Sequence, residues 1–323
     1  MTDVAAFGEL LIDFTCVSTD SQGYPTMAAH PGGAPANFLA ALSRLGAGTA
    51  LIGKVGADAF GRMLIGTLKK AGIETRGIVS DNKVFTTLAF VSLDEKGDRE
   101  FSFARKPGAD TCISFDEADL SLIDEAKVFH FGSLSLTSEP ARSATRQLVE
   151  YAKAGGKLIS YDPNLRKPLW DNLDTAAEQL RWGLGMADVV KISDEEVKFL
   201  FDMSPAEGAA HIIDKYGAKL VFVTCGAEGC WFSNKRASGM VPALEGIKPV
   251  DTTGAGDIFG GSAMWKLLRK GRAPEELGGD ELRDIVSFAC AAAGLSTTKP
   301  GGISSVPGPE ELAAALKTES IYC

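Results

Sequence analysis

The segment Asp251-Thr252-Thr253-Gly254-Ala255-Gly256-Asp257 carries the densest chemistry in the chain, and it runs into a helix-like stretch, Ile258–Leu268. Glycines at a helix start let successive backbone N–H groups converge on one point, where the helix dipole adds partial positive charge. Such a mouth suits the charge that builds on a phosphoryl group in flight. Asp257 stands at its lip, where a carboxylate can accept the proton of an attacking hydroxyl. The same residues would also make a capping and packing turn, because an acid in the first turn favours a helix. Taken alone, the segment supports the two readings evenly. Its two glycines, two threonines and two flanking aspartates are nonetheless more specific than a lone GxGxxG.

Other segments add candidate groups. Asp162, Asn164 and Arg166 occupy alternate positions of DPNLR behind the strand-like Leu158–Tyr161. An extended backbone would turn all three to one side, although a solvated strand-end loop is the plainer reading. Thr224-Cys225-Gly226-Ala227-Glu228-Gly229 follows the apolar run Leu220–Val223. Its glycines would admit a flat nucleotide, yet any turn between elements also uses glycine. Arg105 and Lys106 could bring positive charge over a bound ligand; solvated basic residues are the commoner explanation. His30, His130 and His211 are scattered without metal spacing, and His130 reads as a packed strand residue. The six cysteines form no CxxC pair and read as reduced, mostly buried thiols.

An alternating scaffold must position these groups. Strands are expected over Ala5–Phe14, Thr49–Val55, Lys127–Phe131, Lys157–Tyr161, Val189–Ile192 and Leu220–Thr224. Helical spacing falls between them, over Ala34–Leu45, Phe60–Ala71, Pro140–Ala154, Ala176–Leu184, Asp194–Phe201 and Ala206–Tyr216. That order predicts an α/β fold with a mainly parallel sheet, helices on both faces and ligands beyond the carboxyl ends of the strands. Val17–Pro31 and Thr86–Phe103 break the pattern, and the second alternates around a turn centred on Glu95-Lys96-Gly97-Asp98 as a hairpin does. A small β-lid over about 15–31 and 84–106 accounts for both stretches, as would two ordinary surface excursions.

Composition narrows the class. In 323 residues, 45% are hydrophobic and 23% charged, which is globular usage with room for a large core. Acidic side chains outnumber basic ones by 42 to 33, and no basic run occurs, so nucleic acid is a poor partner. The start MTDVAAFGELLIDF reads as a strand and not as a basic leader, and no apolar run nears the ~18 residues of a membrane span. A soluble cytoplasmic protein is expected.

DTTGAGD resembles the C-terminal signature of the ribokinase-like (PfkB) carbohydrate kinases. Gly32-Gly33-Ala34-Pro35-Ala36-Asn37, with the following ALSRLGA and IGKVGADAFG, is similar to a second signature of that family. The likeness runs from GELLIDF at 8–14 to GGISSVP at 301–307. Within the family HFGSLSLTSEP (130–140), SYDPNLR (160–166), VVKISDEE (189–196) and VTCGAEGC (223–230) draw it towards fructokinases.

The resemblance implies a ribokinase-like three-layer fold, a single domain over 1–323 bearing the β-lid. It implies Asp257 as general base with Gly254, Ala255 and Gly256 as anion-hole amides. Asp13 would accept hydrogen bonds from sugar hydroxyls, Gly32 and Gly33 would let the backbone approach the sugar, and Asn37 would offer an amide donor and acceptor. Without the likeness, Asp13 and Asn37 would read as caps. Arg105 and Arg166 would bring charge to sugar and phosphate. ATP would meet Asn164, Lys191, Thr224, Gly226, Gly229 and Gly256, with Phe288–Ser296 and Lys299–Ser305 along the adenine side. Glu196 would order water around Mg²⁺, with Ser193 where many relatives carry the asparagine of Asn-x-x-Glu. A K⁺ site would use carbonyls near Ser296, Gly301 and Ser305, with Asp251 and Thr253 opposite. If the lid is an exposed β-layer, its edges and apolar face need cover, and a homodimer through the lid would supply it.

The leading expectation is transfer of the ATP γ-phosphoryl group to a sugar hydroxyl, on D-fructose to give fructose 6-phosphate. One alternative is another sugar or riboside: 2-keto-3-deoxygluconate, ribose or a nucleoside. An acidic sugar would want cations near the lid, which makes Arg105 the residue to watch. Another is an inactive sugar- or nucleotide-binding regulator, against which the intact Asp257 and glycines speak. A P-loop or nicotinamide enzyme lacks support, because no GxxxxGK[ST] occurs and no GxGxxG follows the first strand.

Overall fold

Short apolar runs with no polar alternation form strands only where both faces of a sheet are covered. The computed structural model describes residues 2–93, 99–317 and 321, and those runs lie in its larger sheet. In chain order the strands are β1 (Val4–Phe7), β2 (Leu11–Thr19), β3 (Pro25–Gly32), β4 (Thr49–Gly56), β5 (Ile73–Glu74), β6 (Ile78–Asp81) and β7 (Leu88–Leu93). There follow β8 (Arg99–Ala104), β9 (Val128–Gly132), β10 (Leu158–Asp162), β11 (Val189–Ser193), β12 (Leu220–Thr224), β13 (Cys230–Asn234) and β14 (Ser238–Val241). The α-helices are α1 (Ala34–Arg44), α2 (Ala59–Lys70), α3 (Leu120–Glu125), α4 (Ala141–Ala154) and α5 (Leu173–Met186). They continue with α6 (Asp194–Phe201), α7 (Pro205–His211), α8 (Ala255–Lys270), α9 (Gly279–Ser296) and α10 (Pro309–Leu316).

Among the described residues the larger sheet runs β14-β13-β12-β11-β10-β9-β1-β4-β5, with β6 also paired to β4. Its pairings are parallel except at the β12–β13–β14 edge. Strand β12 makes the layering plain. Leu220 and Phe222 enter one core with α1, α8 and α9, while Val221 and Val223 enter the other with α4 and α5. The fold is therefore the expected three-layer α/β architecture. Among the described residues no helix is long and apolar enough to cross a membrane, and the five described cysteines are free thiols.

The smaller sheet has the order β3-β2-β7-β8, in which β2 and β7 run parallel. It uses both expected stretches: β7 begins at Leu88 and β8 ends at Ala104, inside the anticipated 84–106, and β2 begins at Leu11 instead of about residue 15. The turn expected at 95–98 lies outside the described residues. One expectation is corrected. Ala5–Phe14 is two strands in two sheets, β1 and β2, joined through Gly8 (φ +154), Glu9 and Leu10. Leu10, Leu11 and Ile12 are as buried as Val4–Phe7, so the apolar pattern continues across the break and conceals it.

Candidate active site

Helix α8 begins at Gly254, whose φ of +76° turns the chain into the helix. The Ile258 N–H donates to the Gly254 carbonyl at 2.9 Å, and the Ala255 N–H leans back to Thr252 at 3.3 Å. Among the described residues the amides of Gly254, Gly256 and Asp257 meet no acceptor, so the mouth of the helix keeps donors to offer. The expected role of the Ala255 amide is weakened by its turn bond. At Gly256 a Cβ would lie 2.7 Å from Lys191 Nζ, so a side chain there would push that ammonium away from the helix mouth.

The Asp257 carboxylate accepts a hydrogen bond from Asn37 Nδ2 at 2.8 Å. Burial pushes its pKa up, against the Lys191 charge, the Asn37 bond and Arg166. Asn37, expected as a sugar contact, thus orients the Asp257 carboxylate, and among the described residues its Oδ1 is buried without a partner. Lys191 Nζ sits 3.0 Å from Asp162. Burial disfavours the ammonium, but the charges of Asp162, Glu196 and Asp257 outweigh it and hold the pKa above its ordinary value. The register that pairs Tyr161 with Val190 sets Asp162 beside Lys191 across neighbouring parallel strands.

Asn164 has φ +44, so the stretch from Asp162 to Arg166 is not extended and its three polar side chains do not share one side. Asp162 turns inward to Lys191, while Asn164 and Arg166 line a cavity of about 580 Å³. Asp13, Gly33, Asn37, Glu196, Asp251 and Asp257 line it too. Glu196 accepts the N–H groups of Ser193 (2.9 Å) and Leu165 (2.6 Å), and Ser193 Oγ accepts the Glu196 N–H at 3.2 Å. Ser193 therefore caps α6 at the position to which the resemblance gives an asparagine.

Thr224, Gly226, Thr252 and Gly256 border both this cavity and an adjoining one of about 450 Å³. The second is largely apolar, bounded by Gly229, Ala255, Leu244, Ile247, Phe259 and Cys290 among others. Ala293 and Gly294 of α9 lie in its wall, within Phe288–Ser296; Leu244 and Ile247 belong to a loop that sequence patterns did not single out.

At the other end stands Asp13, on β2. Burial lifts its carboxyl to about 6; Arg166 pulls it down, and Asp257 and Asp251 push it up. Gly32 packs against that carboxylate. Gly33 has φ +122, and a Cβ there would lie 2.4 Å from the Glu9 carbonyl oxygen. The backbone, more than any ligand, demands that glycine.

Arg105 does not line this cavity. It is 7% exposed, and its guanidinium donates to Asp110 (2.7 and 2.8 Å), Thr137 Oγ1 (2.9 Å) and the Leu134 carbonyl (2.9 Å). Its charge is answered by a carboxylate five residues on, which corrects the expectation of a cation free to swing over a sugar. Ser296 and Ser305 are buried, their hydroxyls donate to the Ala293 and Gly302 carbonyls, and the Ser296 carbonyl accepts the Lys299 N–H at 3.3 Å. Asp251 accepts from the N–H groups of Thr253 and Gly301, both at 2.9 Å, and so joins the two loops expected around K⁺. Among the described residues no group of three or more His, Cys, Asp or Glu side chains is placed to hold a metal. His130 is buried in β9 between Ser160 and Phe38, and burial drives its pKa down to about 3. The sequence reading missed Glu9, a 2% exposed acid in the cavity wall. The one signal for it was a carboxylate inside an apolar run.

Comparison with known proteins agrees with this geometry. The model of the pfkB family carbohydrate kinases matches residues 1–309. Fructokinase-2 of Solanum lycopersicum is 41% identical over 317 residues, 97% of this chain and 96% of its own. A fructokinase from Xylella fastidiosa, solved with bound ATP, superposes with a TM-score of 0.90 at 30% identity, covering 98% of this chain and 99% of that one. A fructokinase from Vibrio cholerae O395, solved with fructose, ADP and calcium ion, gives 0.85 at 32% identity over 98% and 99% of the two chains. The chain belongs to the pfkB family of carbohydrate kinases.

Proposed function

We propose that this kinase transfers the γ-phosphoryl group of ATP to D-fructose, yielding fructose 6-phosphate and ADP. The observation that carries the reading is the Asp257 carboxylate, oriented by Asn37 at 2.8 Å beside the free amides of the α8 mouth and facing the same cavity as Asp13. Relatives named fructokinases, one of them solved with fructose and ADP, support the sugar. The sugar hydroxyl oxygen attacks the γ-phosphorus, its proton passes to Asp257, and the bond to the β-phosphate oxygen breaks. The Gly254 and Gly256 amides, Lys191 and Arg166 meet the charge on the transferring group. Asp13 takes hydrogen bonds from the sugar hydroxyls. The apolar second cavity receives the adenine, with Thr224, Gly226 and Gly229 along its edge.

Mg²⁺ would neutralise phosphate charge. Glu196 and Asn164 would hold its waters, which suits an ion that keeps several waters and takes few protein ligands. Each Glu196 oxygen accepts one backbone N–H and retains lone pairs for such a water. K⁺ would sit among the carbonyls of 296–305, with Asp251 and Thr253 opposite. The small sheet would act as a lid and as a homodimer surface, supported by exposed Val17, Tyr24 and Phe85 on and beside it. The free thiols and the use of ATP suit the cytoplasm.

A coupled assay of ADP release against ketoses, aldoses, sugar acids and ribosides tests the substrate. Fructose should give the highest kcat/KM; a higher value for a sugar acid would overturn the reading. Turnover in K⁺ against Na⁺, and light scattering for a dimer, test the rest.

A further inference from the structure

The chain crosses from the large sheet to the small one at Gly8-Glu9-Leu10 and returns at Gly33-Ala34, where α1 begins. Glu9 spans the two crossings. Its Oε1 accepts the Ala34 N–H at 2.7 Å, and its carbonyl lies against Gly33. What hangs on this bond is specific. Four residues beyond Glu9, on β2, stands Asp13. One turn into α1, Asn37 closes its own N–H on Gly33 at 3.0 Å and donates to Asp257. The second pair of crossings is fastened similarly. Thr87, just before β7, and Arg105, just after β8, both bond Asp110. Glu9 feels the charges of Arg105 and Asp110.

We propose that Glu9 is a positioning residue for the sugar, acting through the Ala34 amide to set Asp13, Gly33 and Asn37 against Asp257. It needs reach and an acceptor oxygen, not a negative charge. Burial lifts the carboxyl to about 7, and a neutral carboxyl still presents a carbonyl oxygen to Ala34.

Two conservative variants separate reach from charge. Glu9→Gln keeps the reach and loses the charge; Glu9→Asp keeps the charge and, one methylene shorter, loses the reach. Glu9→Asp should raise the fructose KM by ~10-fold or more with the ATP KM within ~2-fold, since small misplacements of binding groups are costly. Glu9→Gln should stay within ~3-fold of wild type on both. The inference rests on Asp13 marking the sugar end, so a readout without sugar accompanies it. Amide exchange over 11–19 and 25–34 should quicken in Glu9→Asp and not in Glu9→Gln. If wild type ignored fructose, the substrate reading would fail while exchange still decided this one. The reverse ranking of the variants, equal loss in both, or no change in either would overturn it.

Discussion

At the end of the cavity proposed for the nucleotide, Asp162 lies 3.0 Å from Lys191, and Glu196 takes two backbone N–H groups. At the end proposed for the sugar the Asp13 carboxylate has no hydrogen bond or ion pair among the described residues, and Glu9 has one partner amide outside its own residue. The difference follows from architecture. Parallel strands β10 and β11 run side by side and deliver opposite charges to one spot, whereas Asp13 on β2 and Glu9 in the crossing before it feel Arg166 and Arg105 without an ion pair to either among the described residues. Groups already satisfied brace a site. Those left short of partners, with burial lifting Asp13 to about 6 and Glu9 to about 7, wait for hydroxyls or hold a hinge.

Asp257 stands between the two ends, and removing its charge should have the largest effect. Asp257→Asn should lower kcat by ~10²-fold or more while ATP affinity and folding persist. In the wild type kcat should fall on the acid side, at a pH above the ordinary carboxylate range, because burial raises this pKa and the base must be ionised to accept a proton. Steady-state kinetics against pH checks both, and full turnover in the variant would remove Asp257 from the chemistry.

The two arginines expected at the sugar, Arg105 and Arg166, sharpen the contrast. Arg105→Met leaves a buried Asp110 unpaired and should destabilise the fold by about 3–5 kcal/mol in urea unfolding. Arg166 is exposed, so Arg166→Met should change stability by only about 0.5 kcal/mol yet lower kcat/KM by ~10-fold or more. Equal stability losses would erase the distinction between brace and ligand group. Asp13→Ala should then weaken sugar binding by on the order of 1–3 kcal/mol, leaving the ATP KM in place. An unchanged sugar KM would move the sugar elsewhere.

Much of this site was legible before any coordinates. DTTGAGD announces a helix mouth because glycine and a first-turn acid are local signals, and the parallel sheet follows from apolar runs alternating with helical spacing. What escaped depends on partners distant in sequence or on backbone angles. The break inside Ala5–Phe14 is invisible because residues on both sides are equally buried. Arg105 reads as a free cation until the fold brings Asp110, Thr137 and Leu134 around it. Asn164 reads as extended because nothing in DPNLR specifies φ +44. Glu9 looks like an interruption in a strand when it marks the place where the strand ends.

The smallest effect probes the sugar end alone. The folded Glu9 carboxyl titrates at about 7, above the ordinary value of 4.5 expected in the unfolded chain. Between those values the folded protein binds the extra proton, so stability falls as pH rises through the window, and above pH 7 the buried charge is at its most unfavourable. Glu9→Gln removes that liability. Relative to wild type it should gain on the order of 1 kcal/mol or more between pH 5 and pH 8. Thermal melting of both proteins across that range reads the difference directly. Parallel curves would mean that Glu9 is ionised throughout, and that the sugar end holds its charge as comfortably as the nucleotide end does.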